Sequence, residues 1–123
     1  MKLGQSFGFI AILFAATAHA DIGKDAWKSG FLQKGPAVLC KSGGGMIQKC
    51  FSMTDAECRQ AMSVAINQCL KEIDPKLPAT ITSPNNYGGM VGACAQRQLA
   101  TNNASKLVSS EDCKEYSMIS KSH

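Results

Sequence analysis

Six cysteines, Cys40, Cys50, Cys58, Cys69, Cys94 and Cys113, are the residues of this chain whose types and spacing bear most directly on chemistry. A metal centre wants thiolates at short spacing, typically C-x-x-C, with histidine to complete the ligand set. No two of these cysteines are so spaced, and the only histidines are His19 and the terminal His123. Thiol exchange wants an exposed C-x-x-C at a helix start, which is missing for the same reason. What is left is structural: an even set of cysteines in a short exported chain reads as a disulfide framework. No metal and no cofactor is expected.

Other chemistries fare no better. A serine or cysteine nucleophile needs a base within hydrogen-bond reach, usually histidine, and neither histidine is well placed for that. Paired carboxylates could serve glycoside hydrolysis, but Asp55, Glu57, Glu111 and Asp112 all fall where a helix start attracts negative charge. Lys41 and Lys49 flank Gly43-Gly44-Gly45, yet the glycine-lysine-serine ending of a phosphate-binding loop is absent. The chain is expected not to be an enzyme.

Residues 1–20 have the anatomy of a secretory signal peptide, with Lys2, an apolar run over 7–16, and Ala18-His19-Ala20 before Asp21. The run is short for a membrane span and no second one follows, so no stable membrane insertion is expected after cleavage. Residues 21–123 then form a single disulfide-rich domain. With 13 basic and 9 acidic residues the net charge is +4, and the signs are interspersed. That balance gives solubility and carries no nucleic-acid footprint.

The cysteines must be held by helices. From Met53 to Asp74 the apolar residues recur at helical spacing: Cys58 and Cys69 differ by about 20° around the axis, with Met62, Ile66 and Ile73 on the same stripe. The two sulfurs stand about 16 Å apart along the axis, too far to bond to each other. Each must pin another segment, which makes this helix a spine. Thr54 as N-cap with Glu57 three residues on predicts a capping box, Asp55 and Arg59 a pair one turn apart, and Asp74-Pro75 a stop.

Around the spine, Trp27 and Phe31 predict a short helix that ends at Gly35-Pro36, with Trp27 mostly buried against it. The stretch 36–51 reads as helix or irregular coil, with a hairpin about the three glycines as the rival. Three prolines make 75–86 a rigid connection. A second helix follows over 87–101, with Tyr87, Met90, Val91 and Cys94 on one face. Gly88 and Gly92 are expected to permit close approach to the spine. A short last helix starts near Ser109 or Ser110.

These elements give an all-α, disulfide-stapled domain built on an antiparallel helix hairpin, with short N- and C-terminal helices. The favoured bridges are Cys69 with Cys94, Cys50 with Cys58 and Cys40 with Cys113. The alternative keeps the first and joins Cys40 to Cys50 and Cys58 to Cys113.

The order Cys50-Phe51, Cys58, Cys69, Pro78 and Gly92-Ala93-Cys94 resembles a pattern in small, cysteine-containing exported proteins of proteobacteria. That resemblance implies a bacterial, periplasmic or secreted protein and brings no activity with it. The function expected is contact with an unidentified protein partner, in the form of an inhibitor or immunity-type protein of the envelope. A secreted effector or toxin, or a component of an envelope or secretion assembly, is the alternative. Lys41, Lys49, Arg97 and Gln98, which the core does not claim, are the candidate binding residues. The oligomeric state stays open.

Overall fold

The computed structural model describes residues 22–82 and 84–121. The expected signal segment lies outside the described residues. Four α-helices follow in order: α1 (Lys24–Cys50), α2 (Asp55–Ile73), α3 (Pro84–Asn102) and α4 (Lys114–Lys121). Short 3-10 turns cover Asp74–Lys76, Ala104–Lys106 and Glu111–Cys113. Two strands of two residues, β1 (Ile22–Gly23) and β2 (Thr80–Ile81), pair antiparallel, with Ile22 opposite Ile81. The fold is all-α and disulfide-stapled, with α2 and α3 as its hairpin.

The spine forms as its sequence dictates. Thr54 Oγ1 accepts from the Glu57 backbone N–H at 3.1 Å, and the Thr54 N–H donates to the Glu57 carboxylate at 2.8 Å. Arg59 pairs with Asp55 at 2.7 Å one turn on. The stripe Cys58, Met62, Ala65, Ile66, Cys69, Leu70 and Ile73 is buried, at the three-and-four spacing of a helix flanked on one side by core. Helix α2 packs on both α1 and α3 and is the centre of the molecule.

Helix α1 departs from the expected stop. It runs through Gly35 and Pro36, both buried. A Cβ on Gly35 would stand 2.9 Å from Ile66 Cδ1, so the missing side chain is what lets α1 lie close on α2. Pro36 forfeits one backbone hydrogen bond, but it is buried. The real interruption comes later. Ser42 is extended and Gly43, Gly44 and Gly45 take φ of 61°, 71° and 78°, after which a second helical piece reaches Cys50. Three successive left-handed residues are accessible to glycine at little cost. The stretch 36–51 is thus helical with a glycine corner, and the hairpin is excluded.

In α3, Val91, Ala95 and Leu99 point into the core, four residues apart. Met90, expected beside them, is 52% exposed. Gly88 and Gly92 face α1 instead of the spine, because Cβ atoms there would meet Phe31 and Leu39 at 3.7 and 3.8 Å. Trp27 is 9% exposed and packs on Phe31 and Tyr87, with ring centroids 5.7 and 6.3 Å away.

The bridges are Cys40 with Cys58, Cys50 with Cys113 and Cys69 with Cys94. Cys69 and Cys94 therefore tie the hairpin, while the favoured pairs of Cys50 with Cys58 and Cys40 with Cys113 are replaced, as is their alternative. The glycine corner is the reason. It folds the chain so that Gln48 Nε2 reaches both the Cys40 carbonyl at 3.3 Å and Asp55 Oδ1 at 3.2 Å, which sets Cys40 over the first turn of α2. Cys50 ends the second piece of α1 and faces the C-terminal segment. There the Val108 N–H donates to the Cys50 carbonyl at 2.7 Å, and Tyr116 stacks edge-on to Phe51 at 5.5 Å.

Candidate functional site

The outer face of the hairpin carries a groove of about 380 Å³, between the C-terminal end of α2 and the middle of α3. Its α3 wall is the stripe Met90, Ala93, Cys94 and Arg97, spaced i, i+3, i+4 and i+7. Its other wall is Cys69, Glu72 and Ile73 of α2, continued by Lys76 on the following 3-10 turn. The Cys69–Cys94 bridge, with Cα atoms 6.0 Å apart, clamps the two walls and forms part of the floor.

Exposed Met90 and Ala93 give the groove an apolar surface, over buried Val91 and Ile73. Around it stand three exposed charged residues, Glu72, Lys76 and Arg97. Neither Lys76 nor Arg97 has an ion-pair partner within 4.0 Å among the described residues. Glu72 Oε2 lies 3.5 Å from Cys94 Sγ. A bridged sulfur has no hydrogen to donate, so this is contact and not a hydrogen bond.

Cys69, Glu72 and Cys94 also bring two sulfurs and a carboxylate oxygen within 4.8 Å of one another, a grouping of metal-ligand type. Metal binding by cysteine requires the thiolate. Both sulfurs are committed to the bridge, so the grouping does not act as a ligand set while the protein is oxidised.

Of the four candidate binding residues Lys41, Lys49, Arg97 and Gln98, only Arg97 lines this groove. Gln98, its neighbour, points elsewhere and donates to Asn102 Oδ1 at 3.5 Å. Asn102 in turn donates to Gln68 on α2 at 3.0 Å, so Gln98 belongs to a surface network across the hairpin. Lys41 and Lys49 are exposed on either side of the glycine corner and do not line the groove. Nothing in the sequence marks Glu72 or Lys76 for this groove. Met90 and Ala93 carry a signal in the spacing from Met90 to Arg97, although the apolar pattern of this helix predicts Met90 on the core face.

A second hollow, about 330 Å³, lies beside Cys113 and is lined by Ser109, Ser110, Lys114 and Ser117 among others. Lys114 is paired with Glu111 at 3.6 Å. No histidine lines this hollow, so its hydroxyls lack the usual activating base. The remaining charge cluster ties elements together. Lys28 Nζ donates to Asp74 Oδ1 at 2.6 Å, joining the start of α1 to the end of α2. That hydrogen bond holds the Asp74 carboxyl below its ordinary value and raises the Lys28 amine.

A family model described as T2SS substrate NttA matches residues 21–107. The chain belongs to this family. The NttA match contains the α1 to α3 body, the groove and five cysteines, and it stops before Cys113 and α4. Neither curated proteins nor solved structures gave a match. Membership of the NttA family and three disulfides identify an exported protein. No described helix is long and apolar enough to cross a membrane.

Proposed function

We propose that this protein is a substrate of type II secretion that passes through the periplasm, acquires its bridges there, and works outside the cell by binding another protein without catalysis. The observation that carries this reading is the family match. It begins at Asp21, the residue expected to follow signal cleavage. Disulfides suit that route, because they form and persist in oxidising compartments. The binding mode is supported by a rigid three-bridge scaffold and by the scarcity of histidine, which leaves nucleophilic chemistry without its usual base. A secreted role favours an external partner over the immunity-type role within the envelope.

The experiment is fractionation of a producing culture with the type II apparatus intact or disrupted. The protein is expected in the culture fluid in the first case and in the periplasm in the second. Equal export without the apparatus removes the route. Turnover by the oxidised protein across peptide, ester, glycoside and phosphoester substrates would replace binding by catalysis.

A further inference from the structure

We infer that the groove between α2 and α3 is the partner-docking surface, and that it takes an extended protein segment in which an apolar side chain is flanked by carboxylates. This rests on the protein-binding reading above and names the surface that performs it. The groove volume of about 380 Å³ suits one or two large side chains, so it accepts part of a chain and not a folded lobe. Met90, a flexible and polarisable side chain that lines the groove, is 52% exposed. Such residues adapt to apolar partners at binding surfaces.

The charges choose among occupants. Arg97 and Lys76 lack carboxylate partners among the described residues and stand at the rim, where an acidic side chain would complete them. Glu72 lines the same groove and can accept from a peptide N–H or pair with a basic residue. A polyanion would meet that carboxylate as repulsion at close range. A segment of mixed polarity meets each rim group with its complement. The clamp across the floor is covalent, so the walls are already in place before binding and little ordering cost remains.

The test is a nuclear magnetic resonance titration of the oxidised 21–123 chain with an acetylated, amidated hexapeptide alternating leucine and glutamate. A glutamine-for-glutamate peptide and a serine-for-leucine peptide serve as controls. Saturable shifts centred on Met90, Ala93 and Arg97 are expected with the first peptide, and much weaker ones with either control. The double variant Lys76→Gln/Arg97→Gln should bind about tenfold more weakly, as should Met90→Ser, with circular dichroism unchanged in both. Lys41→Gln/Lys49→Gln should bind like the parent.

Unsaturable shifts, shifts centred on the glycine corner, or full affinity in both groove variants would overturn the assignment. Concentration-dependent shifts without peptide would make the occupant a second copy, and shifts with anionic vesicles but not with peptide would make it a lipid surface. Either result also overturns it. The secretion experiment above uses no peptide, so failure of the groove and failure of the secreted-binder reading are distinguishable.

Discussion

The Cδ1 methyl of Ile66 stands 2.9 Å from the point a Cβ on Gly35 would occupy, with the Phe31 ring at 3.1 Å from the same point. Cβ contacts that close force a shift, and all three residues lie where α1 meets α2. Replacing Gly35 by alanine would gain up to about 1 kcal/mol in helix propensity and lose about 1–3 kcal/mol to overpacking. A net loss is expected, seen as a lower midpoint in urea. Ile66→Val removes the obstructing methyl, so Gly35→Ala/Ile66→Val should be more stable than the sum of the single effects predicts. Strict additivity would place the strain elsewhere.

Acid should loosen the tie between α1 and α2. Asp74 accepts from Lys28 and also stands 3.6 Å from Lys24 Nζ, and its pKa is depressed chiefly by the Lys28 hydrogen bond. A carboxyl depressed on folding stabilises above its unfolded pKa, and that contribution is lost as pH falls through the folded value. Glu57, lowered first by the Thr54 backbone N–H, adds in the same direction. Lys28 is raised above 10.5, so its share is complete below that value and is lost as pH rises through the folded pKa. Asp74→Asn should therefore melt below the parent at neutral pH, with the gap closing below roughly pH 4. It should also narrow in salt, since these groups are partly exposed. A gap constant from pH 7 down to pH 2 would show that Asp74 acts through packing and not charge.

What was legible in the sequence was local. The capping box at Thr54 and Glu57, the pair of Asp55 with Arg59, the spine stripe and the burial of Trp27 all depend on neighbours within a turn or so, and spacing reveals them. The long-range choices were not legible. Gly35-Pro36 has the composition of a helix stop, and only the presence of Ile66 across the interface turns it into a close-packed helix interior. The bridges followed the same pattern. Cys69 and Cys94 flank one connection, but the partners of Cys40 and Cys50 depend on the direction in which three left-handed glycines send the chain. The groove was half legible: Arg97 stood out as an unclaimed charge, whereas the exposure of Met90 depends on which face of α3 the Val91, Ala95 and Leu99 row turns inward.

The glycine corner itself is testable at Gly44, whose φ is 71° and around which a Cβ would meet nothing within 4 Å. Substitution there isolates backbone conformation from packing. Gly44→Ala should cost about 1–2 kcal/mol for a left-handed alanine, and Gly44→Asn distinctly less, because asparagine tolerates that region. The Cys40–Cys58 bridge should still form in both, as peptide mapping without reduction would show. A neutral Gly44→Ala would mean that the corner readily adopts another path.

The bridges differ in what they hold. Cys40 and Cys58 are 18 residues apart, and Cys50 and Cys113 are 63 apart. On loop entropy alone the shorter closure is worth about 3 kcal/mol and the longer about 4 kcal/mol. Alanine is the right replacement at these buried sites, since serine would bury a hydroxyl. Cys50→Ala/Cys113→Ala should lower the guanidinium midpoint more than Cys40→Ala/Cys58→Ala. It should also loosen α4, which is otherwise held by packing against α3, the Val108 to Cys50 hydrogen bond and the stacking of Tyr116 on Phe51. Trypsin cleavage at Lys114 should accelerate in the first variant and stay slow in the second. Equal protection in both would show that the packing on α3, the aromatic stack and the backbone bond secure α4 without the bridge, and that Cys113 adds stability only through the unfolded chain.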